Sequence, residues 1–403
     1  MFDSELLYGL VRMPWWGYAL VVYGGIQIMF LGITLFLHRE QSHGALELHP
    51  VLRHFFRFYL WFCSGTVTKE WVAVHRRHHA YSDQVGDPHS PVVFGLKKVV
   101  LEGYELYVEG ARNPEILTNY GKGTPDDWIE RNLYSRFPKL GIVLFCLTHL
   151  VLFGVFSIIM VALQLVSQPF FAAGIINGVG HAFGYRSYEM ASTATNIIPW
   201  GLFIAGEELH NNHHAFPWSA RFSLQKWEFD MGWLFITVFS AVGLCKVKRV
   251  APRPHFAKKV ELDTETIQAL FTNRMHVLRD YGRRVVRPVA REVARREPDV
   301  VSPSTVSKLL IRHPATLSED SHSFAEGADG SPQGAAVDSG VSASAWRSSG
   351  MTRITPARSS VCVSGVRRPR PGGIRALREL RVGCRLTCAR LRRNCAVEYG
   401  GVG

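Results

Sequence analysis

The chain has 403 residues, of which 47% are hydrophobic and 12% aromatic, and its formal net charge is +13. Twelve arginines and two glutamates, with no lysine, lie between residues 351 and 403, so this stretch carries +10 and leaves +3 for the first 350 residues. Because the charge is confined to a Gly-, Pro-, Ser- and Arg-rich end without apolar periodicity, it does not indicate nucleic-acid binding. The seven cysteines lack the paired spacing of a zinc site and imply no disulfide framework.

The first predicted element is a membrane-spanning helix. Tyr18–Leu37 contains no charge over 20 residues, which is about the length that a helix needs to cross a hydrocarbon core of about 30 Å. A second uncharged region, Leu140–Phe183, is long enough for a helical hairpin. Polar residues and a proline near its middle predict the place of a short turn: Gln164, Ser167, Gln168 and Pro169.

Two shorter apolar segments are predicted to lie at the membrane surface. Val51–Val67 carries Arg53 and Arg57 near its start, so a crossing and an interfacial helix are both possible. A crossing would place the histidine clusters before and after it on opposite faces, so we predict that it lies flat on, or dips into, the cytoplasmic surface. Gly232–Leu244 has only 13 residues, too few to span the bilayer, and is predicted to be interfacial or tucked.

The sequence predicts three regions. Residues 1–252 form a membrane domain, 253–297 a cytoplasmic amphipathic and basic helical segment, and 298–403 a disordered Ser-, Gly- and Arg-rich tail. Within the second region, Asp263–Tyr281 carries apolar residues at helical spacing, which predicts one amphipathic helix: Ile267, Leu270, Phe271, Met275 and Leu278.

Three histidine clusters dominate the polar regions: His38 and His43; His75, His78 and His79; His210, His213 and His214. Residues three and four apart share a helix face, so each H-x-x-H-H motif can converge on one point. His38 and His43 are five apart and can do so if a helix end or turn lies between them. The isolated histidines are interpreted as ordinary core or surface residues: His49, His54, His89, His149, His255, His276, His313 and His322.

Eight imidazoles in three clusters indicate a metal site. Imidazole binds zinc, copper, iron and nickel, so the ligand type alone does not choose the metal. The count exceeds what one four-coordinate zinc requires, which favours two ions with open positions for a small molecule. Two irons that bind dioxygen fit this description. The same chemistry suits a substrate that partitions into lipid.

These motifs resemble the membrane fatty acid desaturases of the acyl-CoA and acyl-lipid delta-9 type. The resemblance covers about Tyr23–Pro252 and includes TKEWVAVHRRHHAYSDQVGDPHSP, INGVGHAFGYRSYE and GEELHNNHHAFPWSARFS. It implies two bound irons and a further ligand in the N-x-x-x-H-x-x-G-Y-R stretch, with Asn177 reaching iron through water. The implied histidine ligands are His38, His43, His75, His78, His79, His181, His210, His213 and His214.

The resemblance also implies a fold and an activity. The expected fold is an all-α integral membrane protein with few transmembrane helices and a cytoplasmic helical cap over the di-iron site. The expected enzyme uses dioxygen as cosubstrate to introduce a cis double bond, at the delta-9 position, into a fatty acyl-CoA or acyl-lipid within membrane lipid. No fused cytochrome b5 motif occurs in the sequence, so we expect a separate electron donor such as a ferredoxin, a rubredoxin or a cytochrome b5-like protein.

Some assignments stay open at this point. Four acids have two open interpretations, as partners that orient imidazoles or as ordinary surface charges: Asp83, Asp87, Glu207 and Glu208. Four basic residues have three open interpretations, as contacts for an acidic electron donor, as contacts for a CoA phosphate or as ordinary surface charge: Arg76, Arg77, Arg221 and Lys226. The alternative functions are a membrane di-iron fatty acid or alkane hydroxylase and a metal transporter. The transporter is disfavoured because a transport path needs ligands at the membrane midplane.

Overall fold

A computed structural model of the chain describes residues 8–254, 264–296, 311–313 and 316. The tail predicted to be disordered, 298–403, lies outside the described residues except at 311–313 and 316. The described residues divide into two compact units, the first formed by 8–187 and 192–251, and the second by 188–191 and the residues from 252 onward.

The first unit consists mainly of helices. In chain order these are α1 (Trp15–Leu31), α2 (Pro50–Ser64), α3 (Thr68–Tyr81), α4 (Pro91–Phe94), α5 (Leu96–Arg112), α6 (Pro114–Tyr120), α7 (Pro138–Phe153), α8 (Ser157–Gln168), α9 (His210–Ala215) and α10 (Met231–Ala241). Two π-helical segments, Gly32–Ser42 and Pro169–Gly178, continue α1 and α8, and a third occupies Glu130–Tyr134. A single 3-10 turn, Val179–His181, follows the second π-helical segment.

Four short strands correct the all-α prediction. Strand β1 (Leu46–Leu48) pairs antiparallel with β4 (Cys245–Val247), and β2 (Trp200–Gly201) pairs parallel with β3 (Phe229–Asp230). Segments of two or three residues are too short to give an alternating hydrophobic pattern, so the sequence could not indicate them. Pairing of β1 with β4 holds the segment that follows His43 against residues 245–247, and pairing of β2 with β3 joins the chain on either side of the third histidine motif.

Two segments of the described chain are long and apolar enough to cross a membrane, Trp15–Ser42 with 28 residues and Pro138–His181 with 44. They correspond to the two apolar regions of the sequence. Helix α10 has 11 residues, which is too short to cross and agrees with the prediction for that segment.

The second of these segments folds back on itself, but not where the sequence predicted. The side-chain nitrogens of His149 and Gln164 lie 3.2 Å apart, whereas a straight helix would separate these positions by about 22 Å. The turn therefore lies at Gly154–Phe156, where Gly154 has φ 59°, and not at Gln164–Pro169. Pro169 does not end the helix because it begins the π-helical segment, in which its missing N–H group is accommodated.

Helix α2 covers most of the segment predicted to lie on the membrane surface. One of its faces is buried and includes Phe56, Leu60 and Trp61, while Phe55 and Phe58 on the other side are 46% and 45% exposed. Arg57 is buried, and its guanidinium forms ion pairs with Asp127 and Glu130. The helix thus packs one face into the protein and exposes aromatic side chains on the other, and its place relative to the bilayer stays a prediction.

The second unit contains α11 (Thr264–Thr272), α12 (Arg274–Tyr281), a π-helical segment at Gly282–Val286 and α13 (Arg287–Arg296). The prediction of a single helix over 263–281 is therefore wrong, since the helix is interrupted at Asn273. The Asn273 side-chain amide donates to the Ala269 carbonyl at 2.9 Å, and such local side-chain bonds compete with helix continuation. Ile267 and Phe271 of the predicted apolar face are 50% and 48% exposed.

Candidate metal centre

The histidine clusters of the sequence meet at one place in the first unit. All nine histidines expected as ligands fall into two groups, and within each group the ligand nitrogens lie within 4.8 Å of one another. The five-histidine group contains His38, His43, His75, His79 and His213. The four-histidine group contains His78, His181, His210 and His214.

Each H-x-x-H-H motif supplies both groups, in opposite proportions. On α3, His75 and His79 join the five-histidine group, while His78 joins the four-histidine group. On α9 the pattern reverses, because His210 and His214 join the four-histidine group while His213 joins the other. Positions four apart differ by only about 40° around a helix, and a position three along deviates by about 60° in the opposite direction. The two motifs therefore hold the groups side by side.

A π-helical segment brings the first cluster together. The backbone N–H of His43 donates to the carbonyl of His38 at 3.2 Å, five residues earlier, and the two ring centroids lie 5.1 Å apart. The segment is anchored by Leu35, Phe36 and Leu37, which have 0% exposure. Insertions of this kind are common at functional sites, and here one supplies the turn that the five-residue spacing required.

The imidazole nitrogens of each group lie within contact distance of one another. In the five-histidine group the Nε2–Nε2 distances are 2.9 Å for His38–His213, 2.9 Å for His43–His75 and 2.8 Å for His79–His213. In the other group they are 3.0 Å for His181–His210, 3.1 Å for His210–His214 and 3.3 Å for His78–His214. The Nε2 atoms of His210, His213 and His214 each lie within 3.3 Å of two other ring nitrogens. A ring nitrogen carries either one N–H or one lone pair, so hydrogen bonds cannot satisfy every one of these contacts. Such a donor set fits a bound cation.

Carboxylates orient three of these rings. The Nδ1 atoms of His38, His78 and His181 lie 2.8 Å from Glu207, 2.9 Å from Asp87 and 3.0 Å from Asp83, respectively. An Nδ1–H that donates to a carboxylate leaves the Nε2 lone pair for a metal and fixes the ring orientation. The orienting role considered for these three acids therefore agrees with their contacts.

Glu208 behaves differently from the other three acids. Its carboxylate accepts backbone N–H bonds from Phe203, Ile204 and Gly206 at 2.7, 2.9 and 3.2 Å, and it contacts none of the described imidazoles. Burial raises the pKa of Glu208. Its place in the structure is to hold the loop before α9.

Asp83 is the most heavily bonded of these acids. It accepts hydrogen bonds from the Thr193 backbone at 2.7 Å and from the hydroxyls of Ser90 and Ser192 at 2.8 and 3.0 Å. Burial acts to raise the pKa of Asp83, but its bonds to His181 and Thr193 hold that pKa well below its usual range. Asp83 also has φ 62°, an unusual conformation that aspartate tolerates better than most residues. The loop is thus fixed around a permanent carboxylate.

A buried arginine joins the first and third histidine motifs. Arg39 has 0% exposure; its guanidinium donates to both Asp230 oxygens at 2.9 and 3.1 Å and lies 3.8 Å from the centroid of the Phe222 ring. The Phe222 ring is 4.8 Å from that of His213. This contact set was not predicted, and the adjacency of Arg39 to His38 is the only sequence signal that could have suggested it.

The surroundings of six of the nine histidines favour the neutral imidazole. Burial lowers the pKa of His43, His75, His79, His210, His213 and His214 well below the usual value for histidine. Neutral imidazole is the form that ligates metals. All-nitrogen donor sets of five and four residues fit two late first-row transition metal ions.

A cavity of about 610 Å³ adjoins both groups and is lined by His38, His75, His210 and Asn177. Its volume is in the usual range for small-molecule sites, which is about 300–1,000 Å³. The apolar part of its wall consists mainly of Phe30, Ile33, Leu165, Ile176 and Ile204, with Trp71 beside the histidines. Asn177 and His181 are four residues apart, as the sequence indicated, but only His181 belongs to a nitrogen group.

His89 was interpreted from the sequence as an ordinary histidine, and its position is more informative. It is 5% exposed, lines the cavity, and its ring centroid is 4.7 Å from that of His78. A nitrogen of His89, one of His78 and an oxygen of Asp87 lie within 4.8 Å of one another. Burial lowers the pKa of His89 to about 3. The D-P-H spacing after the second motif is the signal that could have identified it.

Comparison with known proteins agrees with this geometry. Residues 13–229 match the model of the fatty acid desaturase family. The chain is 34% identical over 247 residues to an sn-1 stearoyl-lipid 9-desaturase of Synechocystis, covering 59% of this chain and 72% of the relative. It is 30% identical to delta-9 acyl-lipid desaturase 1 of Arabidopsis thaliana, with 56% and 72% covered, and 28% identical to an acyl-CoA 5-desaturase of Anemone leveillei, with 56% and 70% covered.

The family match spans all three histidine motifs as well as Asn177 and His181. The nine histidines of that span that were expected as ligands are those that converge in the two nitrogen groups. The chain therefore belongs to the fatty acid desaturase family and is a membrane-associated oxidoreductase.

Proposed function

We propose that the chain is an oxygen-dependent desaturase that introduces a cis double bond, at the delta-9 position, into a saturated fatty acyl chain carried by CoA or by a lipid. The observation that carries the proposal is the junction of two nitrogen groups with a largely apolar cavity. The five-histidine group and the four-histidine group would each hold one iron. Asn177, on the cavity wall, would contribute to the second iron through water.

The overall reaction sets what the site must supply. A –CH2–CH2– unit and one dioxygen, with two electrons and two protons, become –CH=CH– and two water molecules. No side chain is an oxidant strong enough for an unactivated methylene. The iron pair would supply that oxidising power by activating dioxygen. Burial lowers the pKa of six of the imidazoles and so favours their neutral form. The other three rings are oriented by Glu207, Asp87 and Asp83.

The cavity wall would decide which carbons react. Phe30, Ile33 and Ile176 exclude water from the acyl chain, and His38, His75 and His210 form the part of the wall that the reacting carbons would face. Holding one methylene pair at that place is an orientation effect, which lowers the barrier without any covalent contact to the protein.

Membrane placement follows from the same framework. Lys246, Lys248 and Arg249 follow the short apolar helix α10, and an excess of Lys and Arg beside apolar segments is typical of the cytoplasmic side. The histidine groups would therefore lie at the cytoplasmic face, which in a bacterial cell is that of the inner membrane. A separate ferredoxin, rubredoxin or cytochrome b5-like protein would deliver the electrons.

Fatty acid analysis tests the proposal. Aerobic host cells would express the chain, its His78→Ala variant, or the control His54→Ala, which removes an exposed imidazole outside both groups. Gas chromatography with mass spectrometry of derivatised methyl esters locates double bonds. A new monounsaturated acid with a delta-9 bond in the wild type and the control, absent from His78→Ala and under anaerobic growth, is expected. Hydroxylated acids in its place would reassign the chain to the hydroxylases.

A further inference from the structure

The metal centre has two sides that differ in what they face. His38, His75 and His210 line the cavity. His43, His79 and His214 do not line it, yet they are partly exposed, whereas His213 has 0% exposure. Because they are partly exposed without lining the cavity, these three residues lie on another side of the centre. We call His43, His79 and His214 the outer edge.

The outer edge connects both nitrogen groups. The rings of His79 and His214 are stacked, with centroids 4.4 Å apart and an interplanar angle of 23°. His79 belongs to the five-histidine group and His214 to the four-histidine group. A redox partner that reached this edge would be next to a residue of each group.

A row of positively charged residues lies beside His43, whose ring centroid is 4.7 Å from that of His79. The backbone N–H groups of Lys248 and Arg249 both donate to the carbonyl of Ala45, two residues after His43, at 2.9 and 3.0 Å. The backbone N–H of Ala220 donates to the Arg249 carbonyl at 2.9 Å, which places Arg221 beside it. Arg76 donates to the carbonyls of Ser42 and Lys122 at 3.1 and 2.6 Å. We call Lys122, Arg221, Lys248 and Arg249 the basic row.

The charges of the basic row are largely available. Lys122 and Arg249 are exposed, and neither has an ion pair among the described residues. Only Lys248 is neutralised, by Glu47 at 3.1 Å. The Arg76 guanidinium, by contrast, donates its hydrogen bonds to backbone carbonyls. Arg76 therefore positions the row and does not itself offer a charge to a partner.

We propose that the basic row and the outer edge form the docking surface of a small acidic one-electron carrier, whose electrons enter through His79 and His214. This inference rests on the proposed function, which requires two electrons per double bond. Two carriers each lose one electron per turnover. The cations of the row do not line the cavity, so the surface is separate from the place where an acyl carrier would bind. Charge complementarity of this kind speeds encounter and makes it sensitive to salt.

Stopped-flow reduction of the iron-loaded, detergent-solubilised full chain tests the proposal, with reduced plant-type [2Fe–2S] ferredoxin as the acidic carrier. The variant Lys122→Glu/Arg249→Glu reverses two charges of the row. Its matched control is Lys97→Glu/Lys98→Glu, at the start of α5, because neither lysine lines the cavity or belongs to the basic row. We expect the second-order rate constant to fall at least tenfold in the first variant and to remain within twofold of wild type in the control. The salt dependence should be flatter in the first variant.

Dithionite, which needs no protein docking, should reduce the iron of all three proteins equally, and their iron contents should match. An unchanged ferredoxin rate in the row variant, an equal loss in the control, or no reduction of wild type by ferredoxin where dithionite succeeds would overturn the proposal. Fatty acid products are measured separately. A chain that accepts electrons at the row yet makes no unsaturated acid would contradict the proposed function and leave this inference standing.

Discussion

The two histidine groups are built from the same motifs, but they are supported differently. In the four-histidine group, two of four rings are oriented by carboxylates, His78 by Asp87 and His181 by Asp83. In the five-histidine group, one ring of five is oriented in this way, His38 by Glu207. The smaller group therefore depends more on its surroundings for ligand geometry, and the larger group on the number of its ligands.

The difference also concerns the loop between α3 and α4. Asp83 and Asp87 both lie there, and Asp87 also accepts the backbone N–H groups of Asp83 and His89 at 2.8 and 3.1 Å. One loop thus orients two ligands of the four-histidine group. The larger group relies instead on the π-helical segment of α1 and on the Arg39–Asp230 ion pair.

The largest expected effect comes from removing a ligand. His43→Ala and His214→Ala should each lower desaturation by more than the roughly 10–100-fold typical of losing an orienting partner, because a direct ligand is lost. Iron should fall from about two per chain to about one in each variant, measured by elemental analysis of purified protein. His54→Ala should retain both. Loss of both irons from one variant would show that the groups do not bind metal independently.

The pairing of ligands was accessible from sequence, although it was not predicted. Positions four apart lie closer around a helix than positions three apart. His75 and His79 could therefore have been assigned to one group, and His210 and His214 to the other. The sequence did predict that all three clusters meet, because each motif presents its imidazoles on one helix face. Asp83 and Asp87 were recognised as candidates only because acids lay close to the second motif.

Other features were beyond local sequence patterns. The π-helical segment that brings His38 and His43 together depends on packing around Leu35 and Phe36, not on residue propensity. The hairpin turn was placed at the polar residues Gln164–Pro169, but those side chains are satisfied by contacts across the bundle, such as Gln164 with His149. Gly154 gave no comparable signal because it is a single glycine within an apolar run.

A matched pair of amide substitutions sharpens the comparison. Asp83→Asn should weaken iron binding to the four-histidine group by about 10–100-fold, because asparagine tolerates the backbone at φ 62° but cannot supply the charge. Competition between the protein and a calibrated iron chelator measures this affinity. An unchanged affinity would mean that His181 is oriented by packing alone.

The corresponding change in the larger group is Glu207→Gln. Since only one of five ligands there has a carboxylate partner, we expect a loss of about tenfold, at the lower end of the same range. The same chelator competition applies to both variants. A loss larger than that of Asp83→Asn would show that the five-histidine group depends more on its carboxylate partner than the four-histidine group does.

The smallest expected effect separates support of the fold from support of the metal. Glu208→Ala removes the acceptor of three backbone N–H groups and should lower the free energy of unfolding by about 1–3 kcal/mol. Iron affinity should remain near that of wild type, because Glu208 contacts none of the described imidazoles. Thermal unfolding in detergent, paired with iron analysis, checks both parts. A large loss of iron at wild-type stability would assign Glu208 to the metal site.

The central claim is that the two groups hold one iron each. Mössbauer spectroscopy of the wild-type chain loaded with the 57Fe isotope tests it most directly, combined with metal analysis of the same sample. We expect about two irons per chain, in nitrogen-rich sites of equal abundance. A single iron site, or full occupancy of both groups by zinc in protein that still desaturates fatty acids, would contradict it.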